Sequence, residues 1–473
     1  MPDVTPALID GEDVLTDATS EVHSPYDGSL VGEVPACDQP EIDRAVAVAL
    51  ARHRSGALPA YERAEVLDQV AVLLDLRIDD FARLIATESA KPITTARGEA
   101  ERAIDTLRFS AAQARTFTGE TIPMDASAAG VGKLGYVMRV PIGVVAAISP
   151  FNFPLNLVCH KIAPAVAAGC PVVLKPASAT PLTALAIVRL FEEAGLPPGW
   201  LNVVTAKGRL ANHLVEHPDV AMVTFTGSPP VGWGIRAAVP HKRVGLELGN
   251  NAPVIIEPSA DLELAASRIA VGGYSFAGQS CISVQRVYVH HEVHDELAEL
   301  LSAKVADLVV GDPLDAATQV SALIDPGETD RVEQWIGDAV DSGASVLTGA
   351  VRTGEDLLAP TVLDGITASM EVSRNEVFGP MVGLAAYRDL DQAIEWSNDT
   401  KYGLQAGIFT KELAVALEAV RRLDFGGVTV NEVPTFRADQ MPYGGIRDSG
   451  NTREGPAFAV EELTERRMVV IQG

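Results

Sequence analysis

The sequence predicts an α/β protein with two doubly wound parallel sheets, each in its own domain. Short apolar runs alternate with stretches of helical spacing, which is typical of parallel sheets whose two faces are covered by helices. A chain of 473 residues is also too long to fold around one core, so two or three domains are expected.

Residues 1–118 are expected to contain short strands and loops followed by helices. Turn signals such as Asp27-Gly28 punctuate residues 1–36. Helical spacing of apolar residues then covers 41–53, 60–87 and 95–117. Lys91-Pro92 separates the last two stretches, because a proline interrupts the hydrogen bonds of a helix.

The two sheets are predicted on either side of residue 250. The first has predicted strands at 144–148, 171–175, 201–205 and 221–225, each followed by a helix. The second has predicted strands at 254–256, 284–290, 381–386, 407–410 and 427–431, with a helix at 262–274. No linker rich in Pro or Ser separates the two series, so the domains are expected to pack together.

The composition of the chain argues against several kinds of partner. A formal charge of −26 repels nucleic acid and anionic lipid, so neither is expected to bind. No apolar run is long enough to cross a bilayer, and the first residues do not resemble a signal peptide. The cysteines have neither disulfide nor metal-ligand spacing, so a reducing cytoplasm and no metal are expected. They are Cys37, Cys159, Cys170 and Cys281.

Two residues indicate acyl chemistry. Cys281 follows a glycine turn and precedes a β-like run, a position that favours a thiol nucleophile. Glu247 ends an apolar strand, where a carboxylate is costly unless it has a partner or a role as a base. The alternatives are a buried structural cysteine and a glutamate paired with a cation. If both residues face one pocket, the chain works through a thioester.

Two further features suggest anion binding. Asn152 lies between Pro150 and Pro154, so its amide is placed to donate to an oxyanion or serves only its own turn. The segment 226–232 follows a strand and opens a helix, whose N–H groups suit a phosphate, although a plain loop is the simpler interpretation. Lys175 ends a strand of the same sheet, at the edge where ligands bind.

Seven motifs, in this order, resemble those of the aldehyde dehydrogenase superfamily. They are Pro150–Pro154, Lys175-Pro176, Phe225–Ser228, Glu247–Gly249, Gly278–Cys281, Glu376–Pro380 and Pro442–Gly450. The resemblance implies oxidation of an aldehyde to its acid with NAD or NADP, through a Cys281 thiohemiacetal and thioester. It implies that Glu247 activates the water, and that Asn152 and the backbone N–H of Cys281 hold the oxyanion. The cofactor contacts that it implies are Ser149, Phe151, Lys175, Ser178, Gly208, Phe225, Gly227, Ser228, Leu248, Glu376 and Phe378.

The resemblance also implies a division into domains. Residues 1–118 and 139–249 would bind the cofactor, and residues 250–452 would form the catalytic domain. Residues 119–138 and 453–473 would form an oligomerisation element, a small β arm through which family members become homodimers or homotetramers. The alternative is a terminal strand folded back on its own domain.

Three positions depart from the family pattern. Asn250 stands where glycine is common, and Arg447 replaces a late lysine. Many NAD-preferring members have a glutamate where this chain has Ser178. Without that carboxylate a 2′-phosphate meets less repulsion, so NADP should be tolerated.

Residues 279–286 and 436–442 resemble the branch that contains lactaldehyde and non-phosphorylating glyceraldehyde-3-phosphate dehydrogenases, with enzymes for phosphono- and sulfo-aldehydes. A small aliphatic, hydroxy or anionic aldehyde, including succinic semialdehyde, is therefore expected. Arg102, His160 and Arg437 would meet an anionic tail. Alternatively, Arg102 pairs with Glu99, His160 faces a neighbouring helix, and Arg437 pairs with Asp439. A CoA-acylating enzyme and a catalytically silent homologue are the competing functions.

Overall fold

The computed structural model describes residues 4–354 and 356–473. The strands are β1 (Ala7–Ile9), β2 (Glu12–Val14), β3 (Thr19–His23), β4 (Leu30–Pro35), β5 (Glu120–Ile122), β6 (Lys133–Pro141), β7 (Val144–Ile148), β8 (Val172–Lys175), β9 (Leu201–Val203), β10 (Val220–Thr226), β11 (Arg243–Glu247), β12 (Pro253–Ile256), β13 (Arg286–His290), β14 (Ser345–Thr348), β15 (Thr361–Asp364), β16 (Met381–Tyr387), β17 (Gln405–Phe409), β18 (Gly427–Val430) and β19 (Thr464–Gln472). The helices are α1 (Gln39–Arg54), α2 (Ala60–Leu76), α3 (Ile78–Ser89), α4 (Ile93–Thr116), α5 (Asn156–Ala168), α6 (Pro181–Glu193), α7 (Ala211–Glu216), α8 (Pro229–Ala238), α9 (Leu262–Tyr274), α10 (His294–Ala306), α11 (Pro326–Asp341), α12 (Glu371–Arg374), α13 (Leu390–Asn398), α14 (Leu413–Arg422) and α15 (Pro456–Glu462).

Two large sheets confirm the predicted α/β class. The first has the order β11-β10-β7-β8-β9-β1-β2, and the second has the order β14-β15-β16-β13-β12-β17-β18. Strands β7, β8 and β12 are buried at every position, as expected of parallel strands covered on both faces. The candidate active site described below is located where the parallel strands of the first sheet end, which is the usual ligand-binding edge of such sheets.

Both sheets also contain antiparallel pairs at their edges, which the prediction did not include. Strand β1 pairs antiparallel with both β2 and β9, and β14 pairs antiparallel with β15. Strands β1 and β2 form a hairpin through Asp10 and Gly11, whose φ angles are 59° and 74°. A two-residue turn with both φ angles positive matches the twist of an antiparallel pair, and Asp-Gly is its preferred sequence.

The helix predicted over residues 60–87 is two helices. The helical conformation is interrupted at Arg77, with φ −117° and ψ 20°, between α2 and α3. Helix α3 ends near the buried carboxylate of Glu88, which accepts hydrogen bonds from the N–H groups of Leu182 and Thr183, each at 3.0 Å. Those N–H groups belong to the first turn of α6, where they lack partners within the helix. The break therefore lets α3 anchor a helix of the first sheet.

A third sheet has the order β19-β6-β5. Strand β19 pairs antiparallel with β6 along its whole length, from Thr464 opposite Pro141 to Gln472 opposite Lys133. The exposed apolar side chains of this third sheet are Leu134, Met138, Met468, Val470 and Ile471. Across the described residues, no helix is both long and apolar enough to cross a membrane.

Candidate active site

Cys281 follows a strained turn at the end of α9. Phe276, Ala277 and Gly278 all have left-handed backbone, with φ of 51°, 52° and 72°. Such a conformation costs about 1–3 kcal/mol at a non-glycine residue and persists only where the surroundings fix it. At Gly278 a Cβ would lie 2.1 Å from the carbonyl oxygen of Gly379, so only glycine fits. The turn thus holds the cysteine in a defined position.

The Cys281 thiol is half-buried, whereas the other three cysteines are buried. Its Sγ lies 2.8 Å from the Tyr443 hydroxyl. Burial raises the pKa of the Cys281 thiol to about 12, and the hydrogen bond from Tyr443 opposes this shift. The thiol is therefore mostly protonated at rest and needs help to ionise.

Glu247 ends β11 as a buried carboxylate, and neither of its oxygens has a hydrogen-bond partner within the described residues. Burial raises the pKa of Glu247 well above its ordinary value, and nearby Glu454 raises it further. Arg437 and Lys161 lower it by smaller amounts. The side chain is thus a neutral acid at low pH and a basic carboxylate once it ionises.

Two cavities meet at Cys281. The smaller, of about 370 Å³, is lined by Arg102, Phe153, Phe436 and Tyr443 among others. The larger, of about 920 Å³, is lined by residues at the ends of the first sheet, with Asn152 and Glu247. Cys281 lines both cavities, so one thiol faces two compartments.

Asn152 is tied to the cysteine loop. Its Nδ2 donates to the carbonyl oxygen of Gln279 at 2.9 Å. Its own carbonyl oxygen accepts from Nζ of Lys91 at 2.7 Å, and this fully buried lysine also pairs with Glu99. The Lys91 ammonium lies 4.6 Å from the centre of the Phe276 ring. Lys91 therefore contacts both loops that carry the proposed chemistry.

The predicted cofactor residues divide into two groups. Those that line the larger cavity are Phe151, Gly227, Ser228, Leu248, Glu376 and Phe378. Those that do not are Ser149, Lys175, Ser178, Gly208 and Phe225. Phe378 has a φ of 50° and packs edge-on against Phe151, with ring centres 5.9 Å apart. Burial raises the pKa of Glu376 to about 7.

The three predicted substrate residues belong to one charged network. Arg102 donates to both carboxylate oxygens of Asp439, at 3.1 and 2.9 Å, so its expected pairing with Glu99 is wrong. His160 Nε2 lies 2.9 Å from Asp439 and 2.9 Å from Nη2 of Arg437. Arg437 pairs with Glu454 at 2.9 Å, and within the described part of the chain it makes no ion pair with Asp439.

These pairings differ in what they leave accessible. The Arg102 side chain is 31% exposed and lines the smaller cavity. His160 has a fully buried side chain outside the residues that line either cavity. Burial would raise the pKa of Asp439, but His160 and Arg102 hold it well below its ordinary value. The described residues contain no group of three potential metal ligands.

The family model of the aldehyde dehydrogenase family matches residues 14–469. The chain belongs to this family. It is 45% identical to the 3-sulfolactaldehyde dehydrogenase of Priestia aryabhattai over 464 residues, which are 98% of this chain and 97% of that protein. It is therefore an oxidoreductase that oxidises aldehydes with NAD or NADP.

Two solved structures are similar over their whole length. Aldehyde dehydrogenase 21 of Physcomitrella patens, in complex with the reaction product succinate, has a TM-score of 0.97 and 38% identity, covering 100% of this chain and 99% of that one. The NADP-dependent glyceraldehyde-3-phosphate dehydrogenase of Bacillus halodurans, complexed with NADP, has a TM-score of 0.96 and 37% identity, covering 99% of each chain.

The larger cavity of this aldehyde dehydrogenase offers an unpaired donor to a bound cofactor. Trp233 lines it with an indole N–H that has no partner within the described residues. The phosphate position predicted at the start of α8 has fewer donors than expected, because Pro229 and Pro230 carry no N–H. The N–H groups of Ser228 and Val231 are the ones that this turn offers.

The sequence prediction did not identify the roles of four residues of the site. They are Lys161, Tyr443, Asp439 and Glu454. Lys161 carried a usable signal, since a lysine within the wholly buried helix α5 is rare without a partner. It donates to Thr226 at 2.7 Å and lies 3.7 Å from Glu454. Tyr443 lay inside a recognised motif, but nothing local placed it beside Cys281.

Proposed function

We propose that this aldehyde dehydrogenase acts on a small aldehyde with an anionic or hydroxyl tail and forms its acid through a thioester on Cys281. The main support is that Cys281 and Glu247 share the wall of the larger cavity. A water molecule between them would find a ready acceptor, because the Glu247 oxygens have no partner in the described chain.

The first step uses Cys281 and Asn152. The ionised sulfur attacks the carbonyl carbon, and the carbonyl oxygen becomes an oxyanion. We assign the oxyanion to the Cys281 N–H and the Asn152 amide. An amide NH₂ carries two hydrogens, so the bond to Gln279 leaves one for the substrate.

The second step uses Glu247. A bound nicotinamide would accept the hydride that converts the thiohemiacetal into the thioester. Glu247 then takes a proton from water as that water attacks the thioester. Its raised pKa suits this task, because the ionised carboxylate is then a stronger base than an ordinary glutamate.

The cofactor is proposed to lie along the larger cavity. By resemblance, Glu376 would hold the nicotinamide ribose, Phe378 would support the ring, and Ser228 would lie by the pyrophosphate. Lys175 would hold the adenine ribose, and burial lowers the pKa of its ammonium to about 8. The side chain of Ser178 is exposed and uncharged, which supports the use of NADP as well as NAD.

An anionic tail is proposed for the substrate. The three similar proteins are a 3-sulfolactaldehyde dehydrogenase, a glyceraldehyde-3-phosphate dehydrogenase and an aldehyde dehydrogenase with the product succinate, and all three of these compounds carry a negative group. In this chain Arg102 supports the same choice, since its guanidinium is partly exposed in the smaller cavity. Arg437 also lines this cavity but is a weaker candidate, because its side chain is buried and bound by Glu454 and His160.

The test is reduced-cofactor formation with NAD and NADP over a panel of aldehydes. The panel holds 3-sulfolactaldehyde, lactaldehyde, glyceraldehyde-3-phosphate, succinic semialdehyde and neutral aliphatic aldehydes. We expect an anionic aldehyde to have the highest kcat/KM. Preference for neutral aldehydes would contradict the anionic tail, acyl-CoA formation in added CoA would contradict hydrolysis, and silence on the whole panel would contradict the activity.

A variant pair assigns the tail to Arg102. Arg102→Gln should raise KM for the anionic aldehyde by about 10–100-fold, the size of a lost charged hydrogen bond, and leave neutral aldehydes within twofold. Arg97→Gln is the matched control, because Arg97 lies on the same helix outside the cavity. Equal KM changes for charged and neutral aldehydes would make Arg102 a structural residue.

We further propose the division into domains at the boundaries given above, with the third sheet as an oligomerisation arm. Its exposed apolar side chains support this, because an unprotected edge strand invites pairing. A homodimer or homotetramer by light scattering is expected. A monomeric mass would contradict it. The four free thiols suit a reducing compartment, and we propose the cytoplasm.

A further inference from the structure

Tyr443 makes the hydrogen bond to Cys281 described above. Its hydroxyl lies 2.8 Å from Sγ, and the whole residue is buried. The motif Pro442–Gly450 has tyrosine at this position, and its hydroxyl is the group that reaches the sulfur. A group in contact with the attacking atom influences both the direction of that atom and its charge.

The phenol is the donor when the thiol ionises. Burial raises the pKa of Tyr443 well above its ordinary value, and the neighbouring Cys281 raises it further. The hydroxyl therefore keeps its proton at neutral pH. A thiolate accepts hydrogen bonds only, so the contact becomes an O–H donating to a negative sulfur, which is stronger than a neutral hydrogen bond.

Tyr443 is held through both its ring and its backbone. The guanidinium of Arg437 lies over it, with the carbon 3.9 Å from the ring centre. Glu454 binds Arg437 through its side chain at 2.9 Å and pairs with the Tyr443 backbone through hydrogen bonds of 3.1 and 2.6 Å. The hydroxyl thus has little freedom to leave the sulfur.

The position of the ring selects one of the two cavities. Tyr443 lines the smaller cavity and is not among the described residues that line the larger one. A sulfur bonded to its hydroxyl is therefore held at the side of the site that carries Arg102, while Cys281 still lines the larger cavity.

We propose that the Tyr443 hydroxyl stabilises the Cys281 thiolate and directs it into the smaller cavity, and that Arg437 is the positioning residue that holds Tyr443 there. This rests on the proposed nucleophile. On attack the sulfur pair forms the S–C bond, the carbonyl π pair moves to the oxygen, and Tyr443 keeps its proton. Arg437 then serves the nucleophile, not the tail of the substrate.

The test is the rate of Cys281 alkylation by iodoacetamide from pH 6 to 10, followed by mass spectrometry. Tyr443→Phe removes the hydroxyl and keeps the ring. We expect the rising limb of the profile to shift to higher pH, so that the rate at pH 7.5 falls about tenfold, the size of a hydrogen bond to a charged group. Tyr61→Phe is the control, because Tyr61 is exposed and distant from both cavities.

Arg437→Lys tests the positioning role. It keeps the positive charge beside Glu454 but loses the flat group over the ring, so a smaller shift in the same direction is expected. Combined with Tyr443→Phe it should add nothing. Additive shifts would overturn the role of Arg437.

An unchanged alkylation profile in Tyr443→Phe would overturn the proposal, including where the variant melts at a lower temperature, since that result describes a purely structural residue. The proposed function fails by a separate result, namely turnover that survives Cys281→Ser.

Discussion

Two buried glutamates in this protein have opposite surroundings. Glu99 accepts hydrogen bonds from the N–H groups of Leu155 and Asn156, at 2.9 and 3.1 Å, and pairs with the ammonium of Lys91. Glu247 is equally buried, yet neither of its oxygens has a partner within the described residues.

The difference separates support from chemistry. A buried carboxylate whose oxygens are all bonded stabilises its surroundings, and Glu99 joins the first turn of α5 to the Lys91 contact with Asn152. A buried carboxylate without partners is costly, so its persistence indicates a role with a ligand or a water. The same reasoning groups Glu88 with Glu99, since it binds the first turn of α6.

The largest expected effect is on kcat, and it comes from a residue that takes part in the reaction. Cys281→Ser should lower kcat by about 10⁴-fold or more, because serine is far harder to ionise than cysteine. Cofactor affinity and melting temperature should stay near those of the wild type. Cys37→Ser is the matched control, since Cys37 is buried elsewhere and bonded to Thr205. Residual turnover near the wild-type rate would refute the nucleophile assignment.

Glu247→Gln should separate the two half-reactions. Reduced cofactor should appear in a burst equal to the enzyme concentration, after which steady turnover is slower by about 10²–10⁴-fold, the usual contribution of a general base. Rapid mixing with an aldehyde of the panel measures both phases. A steady rate equal to that of the wild type would exclude Glu247 as the essential base.

Glu99→Gln should have the opposite profile. It leaves the ammonium of Lys91 without its counter-charge, and breaking a buried pair costs about 3–5 kcal/mol of stability. Denaturant unfolding measures this, with Glu101→Gln on the exposed side of the same helix as control. If Glu99→Gln unfolds like its control, Glu99 is not the structural counterpart of Glu247.

The smallest expected effect is a change with pH in the difference in stability between the Glu247→Gln variant and the wild type. Because the folded pKa of Glu247 lies above the unfolded value near 4.5, the folded state holds the extra proton between the two. Wild-type stability therefore falls as pH rises through this window, and a glutamine avoids the loss. The melting temperature of the variant, relative to wild type, should rise from acid to neutral pH. A difference that stays constant with pH would contradict the raised pKa.

The sequence predicted best what depends on local pattern. Strands β7 and β12 were evident because every position is apolar and buried, and the motifs around Cys281 and Glu247 are continuous in the chain. The break at Arg77 was missed because no proline or glycine marks it. The hairpin at Asp10-Gly11 had a readable turn signal, but its partner β9 lies far along the chain.

The charge pairs of the site could not be predicted. Arg102 has an acidic neighbour on its own helix, yet its partner Asp439 is 337 positions away. Helical spacing identifies which side chains share a face but not which distant loop covers that face. The hydrogen bond between Cys281 and Tyr443 could not be predicted for the same reason, since the two residues are 162 positions apart.

The division of the site into two compartments has a consequence for kinetic order. Glu247 faces the larger cavity and is not among the described residues that line the smaller one. Water approaching the thioester under the control of Glu247 therefore enters through the same space that the nicotinamide needs during oxidation. The acyl group can stay attached to Cys281 while that space is cleared. Departure of the reduced nicotinamide ring is thus expected to precede hydrolysis. The ring and the hydrolytic water then occupy the larger cavity one after the other in each turnover.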